Sequence, residues 1–162
     1  MQKLANTIVL CSQGIPFLHA GTEFLRSKQG VENSYKSGDD INAIDWNLKS
    51  LHQDVMAYTS ALIRMRKEHP AFRMYTAEQV AKYIKFEENI EPGTVIYTID
   101  GKAMGDSWQK IRIAFNGSNE EKNLSIPAGN WHSFLPGKID RPVVQGKIIL
   151  APYSAAILYQ SE

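Results

Sequence analysis

Cysteine is nearly missing from this sequence of 162 residues: Cys11 stands alone, which excludes an internal disulfide framework. No apolar run approaches the roughly 18 residues that a membrane-spanning helix needs. Ile8, Val9, Leu10 and Cys11 make a short apolar patch with no small-residue cleavage site, so no targeting signal is visible. An excess of one charge is absent too. Lys and Arg total 18 against 17 Asp and Glu, the net charge is +1, and no basic cluster marks a nucleic-acid surface. His52 and His69 lack metal-ligand spacing, and no cofactor fingerprint occurs, so neither metal nor cofactor is expected. What remains is 43% hydrophobic and 22% charged residues, the composition of a globular chain.

The most informative stretch is Gly14-Ile-Pro-Phe-Leu-His-Ala-Gly-Thr-Glu-Phe24. A short apolar run that ends in Gly and polar residues reads as a buried parallel strand opening into a functional loop. Parallel strands need parallel neighbours reached by long crossovers, and this chain offers none. The segment is therefore expected to be the tail of a larger α/β structure. Leu4, Ile8 and Cys11 share one helical face and Gln13-Gly14 supplies a stop, which predicts a helix over 2–13 feeding a strand over 15–20. Residues 21–50 form a long polar connection, a length usually reserved for function.

The spacing Ser50-x-x-Gln53 predicts a capping box, followed by a helix over 51–68. Leu51, Val55, Tyr58, Leu62 and Met65 form its apolar stripe. Arg64, Arg66 and Lys67 suit the negative end of its dipole, and His69-Pro70 ends it. Thr76 and Gln79 cap a shorter helix reaching about Tyr83.

Beyond that point the pattern becomes β-like. Strands are predicted at Tyr83–Glu87, Thr94–Ile99, Lys110–Phe115, Asn123–Ile126, Trp131–Phe134, Lys147–Leu150 and Ala155–Tyr159. Pro92-Gly93, Asp100-Gly101, Asn116-Gly117, Ala128-Gly129-Asn130, Pro136-Gly137, Gln145-Gly146 and Pro152 separate them. Ile111, Ile113 and Phe115 alternate onto one face. Short strands at this spacing suggest an antiparallel sandwich. The fold class read from the sequence is mainly β with α, a C-terminal antiparallel β-sandwich preceded by a helix-strand-loop-helix unit, divided near residue 75.

The residues from Gly14 to Glu23 resemble the eighth-strand signature of the α-amylase superfamily, glycoside hydrolase family 13. The continuation, with Phe24-Leu-Arg26, Asn33-Ser-Tyr35 and Asp39-Asp-Ile-Asn42-Ala-Ile-Asp45-Trp46, resembles type I pullulanases, bacterial enzymes that debranch α-1,6 glucans. The resemblance implies a (β/α)₈ barrel followed by a β-sandwich. Residues 2–13 would then be barrel helix 7, 15–20 strand 8 and 51–68 helix 8. Residues 1–75 would form the incomplete end of the barrel and 76–162 the C-terminal sandwich. Barrel enzymes work at the C-terminal ends of their strands, where loop 21–50 would lie.

Retaining glycosidases use two carboxyl groups about 5–5.5 Å apart. In this superfamily they come from strands 4 and 5, with a further Asp after strand 7. None of those strands lies in this chain, so the resemblance implies that it holds no catalytic residue. Glu23, Glu32, Asp39, Asp40 and Asp45 crowd the loop, but nothing builds an opposing cleft wall. Asp39, then Asn42, Arg26 and Asn33, are the groups expected to contact glucose hydroxyls in the intact parent. The alternative for Asn33, Asp39 and Asn42 is local turn formation. Glu23 and Arg26 are expected to pair and anchor the loop. Cys11 should be buried and inert.

The expected partners are the α-glucan substrate (pullulan, glycogen or limit dextrins) and the rest of the barrel, with no nucleic acid and no membrane. Residues 1–50 are expected to be partly disordered, refolded on the sandwich, or paired in a dimer through the orphaned strand 15–20. A competing reading is a carbohydrate-binding or purely structural sandwich from an isoamylase or glycogen debranching relative, with Trp108, Trp131 and tyrosines as stacking groups.

Overall fold

A computed structural model of the chain describes residues 1–134, 141–143 and 146–161. Five α-helices, α1 (Gln2–Cys11), α2 (Asp39–Asn42), α3 (Leu48–Leu51), α4 (Gln53–Glu68) and α5 (Ala77–Tyr83), precede the strands among these residues. The strands are β1 (Ile84–Phe86), β2 (Thr94–Asp100), β3 (Trp108–Asn116), β4 (Lys122–Ile126), β5 (Trp131–Phe134), β6 (Arg141–Val143), β7 (Gly146–Leu150) and β8 (Ser154–Ser161). They pair antiparallel in the order β1-β2-β3-β8-β5-β6, with β4-β7 as a second sheet.

Period-two alternation decides which face each side chain takes. Ile111, Ile113 and Phe115 point to one face of the larger sheet, alongside Tyr97, Ile99, Ile157 and Tyr159. That face packs on Leu4, Leu10 and Cys11 of α1, Leu62 and Met65 of α4, and Ala71 and Phe72 in the turn after α4. The opposite face supplies Ile96, Ala114, Trp131 and Leu158, which pack against Leu124, Ile126 and Leu150 of β4 and β7. The chain is thus layered as helices, main sheet and small sheet, with one core on each side of the main sheet. Trp108 and Trp131, 8% and 2% exposed, belong to these cores and are not stacking platforms for a ligand.

The join between α1 and α4 is polar. Arg66 of α4 is 5% exposed. Its guanidinium donates to the carbonyl oxygens of Leu10 at 2.9 Å, Ser12 at 2.6 Å and Gly14 at 2.6 Å. Tyr97 donates to the Cys11 carbonyl at 3.0 Å. Gln13 bridges the Ala71 carbonyl at 2.8 Å and the Met74 amide at 2.9 Å. The last carbonyls of a helix have no partner within it and carry its negative pole. Here they are met from a second helix and from the sheet. Arg66 therefore serves the dipole of α1 more than that of its own helix. Cys11 beside it is 1% exposed and its thiol is pushed up to about 12 by burial, which keeps it protonated and unreactive.

Several expectations need correction. Residues 15–20 form no strand: they have no ladder partners, Ile15 and Phe17 are 97% and 83% exposed, and Leu18 alone is half-buried, against the helix-side core. A strand exists only through its neighbours, and no described strand pairs with this one. The Ser50–Gln53 capping box does not form. Ser50 lies inside α3 with helical backbone, and His52, at φ −118° and ψ 43°, separates α3 from α4. That break turns Leu51 out to solvent at 72% exposure, so the buried stripe begins at Val55. By contrast, the Thr76–Gln79 box is complete, and α4 stops at Glu68 ahead of Pro70. Strand β6 went unpredicted because it carries Pro142, which only an edge position tolerates. The Pro136-Gly137 turn and Gln145 lie outside the described residues.

After α4, the carboxylate of Asp106 organises the descent into the sheet. It accepts from His69 Nδ1 at 2.6 Å, the Trp108 amide at 2.8 Å and the Ala71 amide at 3.0 Å. The His69 ring stacks on Trp108 at 3.7 Å and Trp108 on Tyr159 at 4.0 Å. Burial works to raise the Asp106 pKa, but the His69 bond and the two amides outweigh it, so the carboxyl titrates below the ordinary 3.8. A depressed carboxyl pKa stabilises the fold fully above the unfolded value and loses that contribution as pH falls through the folded value. Urea midpoints of the wild type and Asp106→Asn should therefore converge between about pH 5 and about pH 2. A gap independent of pH in that window would contradict this assignment.

Candidate functional site

The stretch from Gly21 to Ser50 is not an open loop but a set of tight turns tied to one another. A 3₁₀ turn at Thr22–Phe24 buries Phe24, whose ring lies 5.9 Å from Trp46. Gly21 takes φ +94°, and the Arg26 amide donates to its carbonyl at 2.8 Å. A Cβ at Gly21 would sit 2.6 Å from Arg26 Cβ, so both the backbone and the space require glycine.

Arg26 reaches back to the Ala20 carbonyl at 3.3 Å and across to the Asn42 carbonyl. Its Nε is buried and has no hydrogen-bond partner among the described residues. Glu23 does not pair with Arg26. Its carboxylate accepts from the Gly21 amide at 3.0 Å, which is the nearer partner in so tight a turn. Both residues anchor the loop, each through backbone.

Asn42 closes α2. Its side chain donates to the carbonyls of Ser34 at 2.8 Å and Ser37 at 2.6 Å, and accepts from Lys28 Nζ at 2.6 Å. Asn33 accepts from the Tyr35 amide at 3.2 Å, an Asx turn. Asp39 opens α2 and is exposed; its carboxylate makes no hydrogen bond among the described residues. Of the four residues singled out from the sequence, the structure thus joins Arg26 and Asn42 directly. Asn33 sits apart in its own turn, and Asp39 faces solvent. Lys28 escaped sequence reasoning. Its one signal was a lysine set among amides and small polar residues, which is too common to stand out.

The remaining acidic residues of the loop lie at the surface. Asp45 accepts from the Asn47 amide at 2.9 Å, while Glu32 and Asp40 are exposed. Among the described residues no group of three His, Cys, Asp or Glu side chains is gathered for a metal ion. No described helix is long and apolar enough to cross a membrane.

Residues 80–138 match the family described as "Pullulanase, all-beta domain". Over 126 residues the chain is 36% identical to a pullulanase of Bacillus subtilis strain 168, covering 78% of this chain and 17% of that protein. The chain matches the C-terminal part of type I pullulanases. A solved structure of an Anoxybacillus pullulanase complexed with maltotetraose superposes with a TM-score of 0.87 and 38% identity, covering 98% of this chain and 23% of the other. An isoamylase of Flavobacterium is 28% identical over 148 residues, covering 78% of this chain and 19% of its own length. The chain spans less than a quarter of each of these proteins. The antiparallel β-fold is thus similar to that of pullulanases, and isoamylases match at lower identity.

The anchoring of the loop has a direct consequence at Gly21. Gly21→Ala should displace Arg26 and free the turns it holds, accelerating tryptic cleavage after Arg26 and Lys28 while the β-sheets stay protected. Unchanged cleavage would contradict the packing described for this turn.

Proposed function

We propose that this chain is the non-catalytic C-terminal part of a retaining glycoside hydrolase that cleaves α-1,6 branch linkages in pullulan, glycogen and starch-derived glucans. Residues 1–75 are its share of the catalytic barrel and 76–162 its sandwich. The exposed Ile15 and Phe17 are the surface that the rest of the barrel covers. In the chain alone they are the natural site of self-association, since unpaired apolar backbone invites another chain.

One observation carries the reading of the site. The loop spends Arg26, Asn33 and Asn42 on its own backbone, yet leaves the carboxylates of Glu32, Asp39 and Asp40 exposed without a partner, and of these Asp39 is the one to which the pullulanase resemblance points. A carboxylate held in this way accepts hydrogen bonds from two adjacent sugar hydroxyls at once. In the intact enzyme Asp39 meets a glucosyl unit, and Arg26, Asn33 and Asn42 line or support the same loop. The maltotetraose complex of the Anoxybacillus pullulanase supports glucan as the ligand class.

The alternative of a glucan-binding sandwich module loses its tryptophans, because Trp108 and Trp131 lie in the cores. A structural role for the sandwich is the better-supported reading. Its helix-side core holds α1 and α4 in place and, through them, the loop between them.

The purified chain should release no reducing sugar from pullulan, whereas the intact protein that carries it should. Migration of the chain in a native gel should be unchanged by pullulan or glycogen. Turnover by the chain alone would overturn the non-catalytic reading, and retarded migration would establish the binding module instead.

A further inference from the structure

Asn42 stands where three stretches of the loop converge. Its Nδ2 ties in Ser34 and Ser37, its Oδ1 ties in Lys28, and its main-chain carbonyl accepts from Arg26. A side-chain amide has two donor hydrogens and one oxygen with two lone pairs. Both donors and one lone pair are therefore committed to the loop, and little remains to recognise a ligand.

The same residue closes α2, the four-residue turn that Asp39 opens. Only local bonds define this turn, including the Asn42 amide to Gly38 at 3.0 Å and the Ala43 amide to Asp39 at 2.9 Å. A helix so short has no stability of its own. Three of the ties that hold α2 in one place are made by the Asn42 side chain and a fourth by its carbonyl, beside one from Gln29 Nε2 to the Asp40 carbonyl at 3.2 Å. The carboxylate of Asp39 makes none. The contact group and the group that locates it are thus two different residues on one turn.

We infer that Asn42 is a positioning residue. It fixes α2 so that the Asp39 carboxylate meets the glucosyl hydroxyls, without touching the glucan itself. This rests on the reading that Asp39 makes that contact. Asn42→Asp is the informative substitution. It keeps an acceptor for Lys28 but replaces both donors with an oxygen facing the Ser34 and Ser37 carbonyls, so α2 is loosened while the main-chain ties from Arg26 and Gln29 remain.

The test is a double-mutant cycle in the intact protein carrying this chain, with pullulan as substrate and KM and kcat measured separately. A contact to a non-reacting glucosyl unit acts on KM more than on kcat. Asn42→Asp should raise KM about tenfold with kcat within about twofold. Asp39→Ala should raise KM at least as much, and the double variant should match Asp39→Ala alone. Additive effects would overturn the inference, because Asn42 would then act on the glucan itself. A normal KM in Asn42→Asp would also overturn it. A normal KM in Asp39→Ala would instead remove the contact reading on which it rests. Should Asn42→Asp fail to fold, Lys28→Met cuts only the tie at Oδ1. It should raise KM in the wild type but not in Asp39→Ala, and a rise that persists there would overturn the inference.

Discussion

Everything N-terminal to the sheet depends on how the carbonyl end of α1 is satisfied. Its last two carbonyls, Leu10 and Cys11, and those of Ser12 and Gly14 just beyond it are taken by Arg66 and Tyr97. Burial disfavours the charge on Arg66, and no carboxylate bonds to it among the described residues. The negative pole of α1 is what offsets that cost. The interaction joins three elements at one point, since Arg66 lies on α4, Tyr97 on β2, and the oxygens at the end of α1. It also fixes where the chain leaves α1, and so where the segment from Ile15 onward starts.

From that point the loop is held from within. Gly21 allows Arg26 to fold back, Arg26 reaches Asn42, and Asn42 gathers Lys28, Ser34 and Ser37. Backbone carbonyls serve as the common acceptors, and each side chain spans a gap that the backbone could not close. The carboxylates of Glu32, Asp39 and Asp40 take no part in these ties.

Much of this was legible in the sequence where a pattern has a local physical cause. The alternation at Ile111, Ile113 and Phe115, the Thr76–Gln79 box, and the stop at His69-Pro70 reappear in the structure. What was not legible depended on partners. The Ile15–Ala20 run has strand composition, yet ladder bonds come from neighbours. Ser50 and Gln53 have capping chemistry, yet α3 claims Ser50 first. Arg66 was read as serving its own helix, because no sequence pattern says that a neighbouring helix ends beside it. The site residues were recognisable as polar types in family order. Which of them spend their groups internally is decided by three-dimensional proximity, as the unpredicted role of Lys28 shows.

The central claim is that the helical layer and the sheet form one cooperative structure joined at Arg66. Native-state amide exchange measures this directly, through the opening free energies of amides in α1 and in β3. The account predicts that Arg66→Met lowers both by the same amount, roughly 2–4 kcal/mol. Loss of protection in α1 with β3 unchanged would contradict it, because the helices would then be an appendage to an independently stable sandwich.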